Sequence, residues 1–306
     1  MQQLEHPEAT QPLRIDWRYA ASVIIIHLLA LLALLPWFFS WTGVVLTVLE
    51  IYVFGMLGIN IGYHRLLTHR GFCCPKWLEK FFALLGVCCL QQYAPARWVA
   101  IHRFHHQHPD TRPDHHSPLV SFLWSHVGWV LSRSDDHTGR LLDFYDRYAP
   151  DLLRDRFYLR LEAKNWPIIY LAHVTLFFVV GLAIGWYASG EYFGGIQFGS
   201  SLLIWGVFVR TVLQWHNTWS VNSVTHRLGY RNYDTEENSR NHLLVGFLTH
   251  GEGWHNNHHA YPVSAVHRHR WWEFDLTYLV IRMLRVVGLV WDVKTHQTQQ
   301  QGQEGG

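Results

Sequence analysis

The 306-residue sequence predicts an all-α integral membrane protein, four transmembrane helices beneath one cytoplasmic helical cap. Three observations predict it. Apolar residues concentrate in four runs near the length that crosses a bilayer, about 20 residues. The composition is 49% hydrophobic and 15% aromatic, with 16 Trp, which is rich for a soluble domain of this size. Lys and Arg are absent between Tyr19 and His64 and again between Pro167 and Val209, so both short turns joining paired runs carry no positive charge. The positive-inside rule then places the three basic segments, and both termini, in the cytoplasm.

Residues 1–16 form a polar lead without the basic start, short apolar core and cleavage site of a secretory signal. The first span is expected over about 17–39, ending in the aromatic turn PWFFSW, and the second over 42–63. The third and fourth are expected at 167–188 and about 198–213, joined by SGEYFGGIQ. Trp77–Cys89 is apolar but short, and an extra crossing there would put later histidine clusters on opposite faces; it reads as an interfacial or buried helix. The cap is therefore 64–166 plus 214–291, with 133–165 as charged and aromatic helix. The tail 295–306 has no apolar residue and is expected to be disordered. No internal linker divides the chain, which reads as one domain over 1–306. A formal net charge of +2 gives no footprint for a nucleic acid. The four cysteines, Cys73–Cys74 and Cys88–Cys89, are neighbours without CxxC spacing; they read as packing residues of a reducing compartment.

The chemistry lies in the histidines. In WVAIHRFHHQHPD, His102, His105 and His106 stand at i, i+3 and i+4, one helix face, so three imidazoles should converge on a single point. The pattern recurs at His255, His258 and His259 in GWHNNHHAYP, and HRLLTH adds His64 and His69. Those last two are five apart, about 140° around a helix, so the second span should end near His64 and the chain turn before His69. One triplet could be chance in a chain with 23 His; two triplets and a pair, all beside apolar spans, are the pattern of a metal centre. Asn222 and His226 in WSVNSVTHRLGY share a face at i, i+4. Alone they would be ordinary surface polarity. Beside eight other histidines, His226 reads as a ninth ligand and Asn222 as the group positioning a metal-bound water.

Nine imidazoles exceed the four to six ligands of one transition metal, so two ions are expected. Structural zinc prefers sets containing cysteine, whereas imidazole suits iron, copper, zinc and nickel alike. An all-histidine set leaves the ions' charge uncompensated, so carboxylates should stand behind the rings, with Asp110, Asp114, Asp234 and Glu252 as candidates. His27 and His173 lie within spans, where an interhelical hydrogen bond is the default, and Glu50 is expected to pair with His27. His6, His137 and His296 are expected in solvent. His108, His115, His116, His126, His216, His250, His267 and His269 could each support the site, and the sequence does not sort them.

HRLLTH, HRFHH and HNNHH, in this order and relative to these spans, resemble the three histidine boxes of the membrane fatty-acyl desaturases. NSVTHRLGYRNYD and GEGWHNNHHAYP resemble the delta-9 branch, and the similarity runs from about Trp17 to Trp291. The resemblance implies two irons, one on His64, His69, His102, His106 and His258. The other would take His105, His226, His255 and His259, with Asn222 through water. It implies O2-dependent removal of two hydrogens from adjacent methylenes of a saturated acyl chain, at a bacterial inner membrane. Such a chain offers no polar handle at its middle carbons, so an apolar tunnel must measure position; Gln92, Trp98, Trp124, Trp129, Trp215 and Trp219 are candidates for its wall. No haem or flavin signature is present, so electrons must come from a separate carrier such as ferredoxin or cytochrome b5.

One departure bears on the substrate. The animal acyl-CoA desaturases carry an Arg-Asp pair before the second box that helps to hold the CoA head group; here Ala100 and Ile101 stand there. GEGWHNNHHAYP followed by RWWEFD resembles the cyanobacterial and plant branch, many of whose members act on glycerolipid chains. A lipid-linked chain is thus favoured over acyl-CoA. The rival readings are a related di-iron lipid hydroxylase or alkane monooxygenase, which shares the boxes but inserts oxygen, and a metal transporter, which would set its ionisable groups near mid-bilayer.

Overall fold

The computed structural model describes residues 4–91, 94–132 and 141–297. Gln92, His137 and the tail beyond residue 297 lie outside the described residues. The fold is all-α; among the described residues the only β pairing is four isolated bridges, such as Cys73 with Trp291. Four helices are long and apolar enough to cross a membrane: α1 (Trp17–Leu34), α2 (Trp41–Thr68), α5 (Trp166–Ser189) and α6 (Tyr192–Ser223). Between α2 and α5 lie α3 (Lys76–Val87) and α4 (Pro95–Gln107); after α6 come α7 (Leu243–Leu248), α8 (His255–Ala260) and α9 (Leu276–Val286).

The spans differ from expectation at their ends. α1 stops at Leu34 and a single turn over Pro36–Phe38 leads to α2. α2 runs on through His64 to Thr68, and α6 continues ten residues past Leu213 to Ser223. At 1.5 Å per residue α6 is about 48 Å long, well beyond the roughly 30 Å hydrocarbon core, so its last turns belong to the cap. The apolar windows of α2 and α6 are 44% and 50% buried, against 22% and 17% for α1 and α5. The inner pair therefore carries the cap while the outer pair faces lipid.

Close approach is built from glycine. A Cβ on Gly181 would meet the Cα of Gly199 at 2.8 Å, and one on Gly185 the Cα of Gly195 at 3.1 Å. Two GxxxG pairs thus let α5 and α6 touch backbone to backbone, where side-chain packing rather than the hydrophobic effect holds helices together. The buried ionisable groups of the bundle are arranged otherwise than expected. Glu50 lies 3.9 Å from Arg210, not on His27. Arg210 also donates to the Cys88 carbonyl at 3.0 Å and sits 3.3 Å from His173, while His27 meets His216 at 3.2 Å.

The stretch expected at Trp77–Cys89 forms α3 and the turn after it; α3 buries Leu78, Phe82 and Ala83 against α2 and leaves Trp77 and Phe81 exposed. The helices over Leu141–Tyr148 and Pro150–Leu153 cover α4 with Tyr145, Tyr148 and Leu152. Asp151 there pairs with Arg70 and Arg103, and Arg103 caps the end of α2 by donating to the carbonyls of Leu67 and Thr68. Cys88 and Cys89 are buried packing residues, whereas Cys73 is exposed.

Candidate metal centre

From Ile51 to Thr68, α2 is wound as a π-helix. Its i→i+5 bonding sets residues five apart nearly one above the other, and the His69 N–H donates to the His64 carbonyl at 3.1 Å. No turn is needed between these two histidines. Their rings lie 4.8 Å apart in one cluster.

α4 and α8 divide their triplets, so the expected single point of convergence does not occur. His102 and His106, one turn apart on α4, join His64 and His69, while His105 points elsewhere. On α8 it is His255 and His259 that join His105, while His258 crosses to the first group. Each HxxHH therefore gives an i, i+4 pair to one group and its remaining histidine to the other. His226 completes the second group. It lies beyond the end of α6 at Ser223, so Asn222 and His226 do not share a helix; Asn222 faces the cavity beside His255.

Within the first group, Nε2–Nε2 separations are 3.1 Å for His64–His258, 2.9 Å for His258–His106 and 3.2 Å for His106–His102. Within the second they are 3.0 Å for His226–His255, 3.0 Å for His255–His259 and 3.4 Å for His105–His259. Metal–imidazole bonds of about 2.0–2.1 Å at a right angle set their nitrogens about 3.0 Å apart. A ring of facing imidazole nitrogens cannot be satisfied by protons alone, because each neutral ring has one donor and one acceptor. His69 Nε2 is buried without a hydrogen-bond partner. Both groups fit a transition metal.

Protonation states agree. Burial, reinforced by neighbouring imidazoles, pushes His69, His102, His106, His255, His258 and His259 well below the usual histidine range. They are neutral at physiological pH, the form that binds metal.

Carboxylates orient the rings from behind. Glu252 lies 2.6 Å from His64 Nδ1, Asp114 2.9 Å from His105 Nδ1 and Asp110 3.0 Å from His226 Nδ1. Burial would raise these acids, but their partners prevail. Arg65, then His267 and His64, hold Glu252 well below the carboxylate range, and His105 and His116 do the same for Asp114. His226 and the Asn238 N–H bring Asp110 down to about 2. Conversely, His226 is raised despite burial, because Asp110, Glu237 and Asp114 surround it. Asp234 is not among these carboxylates. It projects into solvent 3.9 Å from Arg231, and Glu237 stands inside instead, 3.9 Å from His226 and 3.8 Å from His259.

Sequence reasoning also left His267, His116 and the two asparagines of HNNHH without roles. His267 Nδ1 is 3.3 Å from Glu252, and His116 Nδ1 3.6 Å from Asp114. Asn257 accepts from Asn232 and Asn241 and donates to the His267 carbonyl and Glu273, all at 2.8–2.9 Å. Asn256 accepts from the N–H groups of Asn232 and Tyr233. These asparagines fix the back of α8. Gly253 lets α8 approach α7, since a Cβ would lie 2.1 Å from the Gly246 nitrogen. His126 and His216 pair with each other at 2.9 Å, away from both groups. His6 lies edge-on to Trp124, and His296, expected in solvent, is half-buried with its ring 4.1 Å from His269.

A cavity adjoins the histidines. Trp98, Trp129 and Trp219 line it together with Ile59, Ile101 and Asn222. Trp98 also stacks on His102 at 4.9 Å. Trp215 instead lines a smaller cavity behind, shared with Trp219, and donates to the Cys89 carbonyl at 2.9 Å. Trp124 is turned away and donates to the His115 carbonyl at 3.1 Å.

Comparison with known proteins agrees with this geometry. The family model described as fatty acid desaturase matches residues 39–285. An sn-1 stearoyl-lipid 9-desaturase of Anabaena variabilis is 41% identical over 286 residues, 94% of this chain and 96% of that one. An sn-2 palmitoyl-lipid 9-desaturase of Nostoc sp. (strain 36) is 40% identical over 284 residues, 92% of each chain. An acyl-CoA 5-desaturase of Anemone leveillei is 41% identical over 271 residues, 88% of this chain and 76% of its own. With its histidine groups at the head of four membrane-spanning helices, the chain belongs to the fatty acid desaturase family, in its cyanobacterial and plant branch.

Proposed function

We propose that this protein is an O2-dependent delta-9 desaturase of glycerolipid-linked acyl chains. Two irons serve it, one on His64, His69, His102, His106 and His258, the other on His105, His226, His255 and His259. The observation that carries this reading is the pair of Nε2 clusters spaced for metal bonds, each backed by buried carboxylate. Bound iron would supply O2 activation and the oxidation of two adjacent methylenes.

The chain's own residues supply the rest. Glu252 and Asp114 hold Nδ1–H of His64 and His105, and Asp110 lies 3.0 Å from Nδ1 of His226, an arrangement that turns the Nε2 lone pairs inward. Trp98, Trp129, Trp219 and Ile101 give the cavity an apolar wall that excludes water and holds a methylene chain beside the histidines. Asn222 faces that space with an amide able to hold a water. One turnover consumes one O2, two electrons and two protons and releases two waters with the alkene; the electrons come from a separate carrier of ferredoxin or cytochrome b5 type. The distribution of basic residues supports a cytoplasmic location for the cap and both termini.

Lipid linkage is supported at the position before the second box. Ala100 is buried in the core, and Ile101 lines the cavity as hydrocarbon. Neither can make the charge-assisted contact that a CoA phosphate would use. The relatives named for stearoyl-lipid and palmitoyl-lipid substrates support the same assignment and the delta-9 position. Pulse-labelling in a host lacking its own desaturase tests it, with the double bond located by mass spectrometry. Saturated phospholipid should be the first pool to gain a delta-9 bond. If isolated membranes convert stearoyl-CoA before any label enters lipid, the carrier assignment fails.

A further inference from the structure

One wall of the cavity is also molecular surface. α7 turns Val245 and Gly246 inward, with Gly246 against the indole of Trp254. Leu243, Leu244 and Phe247 face outward, Phe247 being 65% exposed. Leu248 does both: it is 46% exposed and it lines the cavity. The cavity therefore reaches the surface at the end of α7, through a short helix whose outer face is hydrocarbon.

That outer face continues the lipid-facing surface of the spans. Asn217 of α6 donates to the Leu248 carbonyl at 3.4 Å, and Asn60 of α2 donates to the Thr249 carbonyl at 2.8 Å. Tyr52 of α2 packs its ring 4.5 Å from that of His250. Exposed Val53 on α2 and Leu213 on α6 bring apolar surface up to this edge. Beyond α7, Trp254 donates to the Phe274 carbonyl at 2.8 Å, and the exposed Phe274 ring extends the band. A contiguous apolar face joined to membrane spans is covered by the membrane, whereas the same face in water would be an aggregation site.

Across the seam between α6 and α7, the Asn217–Leu248 bond is the one side-chain hydrogen bond found among the described residues, and it is long. Behind it lie Val221 and Asn222, already inside the cavity. We propose that this seam is a lateral portal through which the acyl chain of a glycerolipid in the adjoining leaflet enters the cavity, with α7 embedded in that leaflet as its outer lip. The inference rests on the lipid-linked reading above and specifies the route. A saturated chain needs no polar contact to pass an apolar seam, and its head group can remain at the bilayer surface.

The test uses full-length iron-loaded protein, supplied with O2 and reduced ferredoxin, in phosphatidylglycerol vesicles containing a phosphatidylglycerol with a diazirine at the middle of its sn-1 chain. Photolabel should appear on peptides containing Leu243–Leu248 and Asn217–Asn222. In Leu244→Glu/Phe247→Glu, charge on the outer lip should lower both this labelling and desaturation of vesicle lipid by roughly tenfold. The same lipid dispersed in detergent micelles should be converted about as well as by the unaltered protein, with metal content unchanged. Label confined to other lipid-facing surfaces, or equal losses in vesicles and micelles, would overturn the portal. If the seam is labelled but only an acyl thioester is desaturated, the lipid-linked reading fails and the portal stands as an acyl-chain opening.

Discussion

A histidine can turn either ring nitrogen to a metal, and behind His64, His105 and His226 a buried carboxylate decides. Asp114 is fully buried and accepts from His105 Nδ1 at 2.9 Å and from the N–H groups of Asp110 and His116 at 3.1 and 3.2 Å. Asp114→Asn could place an N–H donor against His105 and reverse its tautomer, turning Nε2–H inward. We expect such a change to weaken metal binding in the second group about 10–100-fold, read by chelator competition on purified protein. Asp234→Asn, in solvent, should change nothing. Unaltered chelator resistance in the Asp114 variant would remove the carboxylate from this role. The histidines were legible because imidazole at i, i+3 and i+4 is a rare and directional pattern. Glu237 was not, because its place depends on the loop from Leu228 to Asn241, which has no periodicity to read. Asp234, only three residues earlier, satisfies the same sequence logic and points outward.

The helices show where periodicity informs and where it misleads. Apolar length was sufficient to find four spans, because a bilayer demands about 20 such residues whatever their order. It could not find the ends of α2 and α6, whose last turns exchange lipid for the cap without a break in the helix. Nor could it distinguish α winding from π in IYVFGMLGINIGYHRLLT, so the span was expected to end near His64 and the chain to turn before His69. The orientation of the spans is testable at this scale. In a Cys73→Ser background, Tyr187→Cys lies in the last turn of α5, next to the turn without basic residues, and is 94% exposed, whereas Asp234→Cys lies in the cap. A membrane-impermeant maleimide applied to intact cells should label the first and not the second. Labelling of position 234 would reverse the orientation of the spans.

At the scale of the whole molecule, the two inner spans deliver the site and the two outer ones hold them in the bilayer. α2 brings His64 and His69, and the extension of α6 brings Asn222 to the cavity edge and leads into the turn with His226. α4 and α8 then interleave their triplets, so neither histidine group can form unless both halves of the cap close on each other. Their coming together was legible from the sequence as a count, nine ligands for two ions, but the exchange of partners between α4 and α8 was implied only by the family resemblance, because a helix face taken alone suggests one point. The most direct measurement is iron quantification with Mössbauer spectroscopy on protein purified from iron-supplemented cells, for the unaltered chain and for His105→Ala. The account predicts about two tightly held irons per chain, and about one or fewer when His105 is lost from the second group while the protein stays in the membrane. One iron per chain, a readily exchanged zinc, or an undiminished pair of irons in His105→Ala would contradict it.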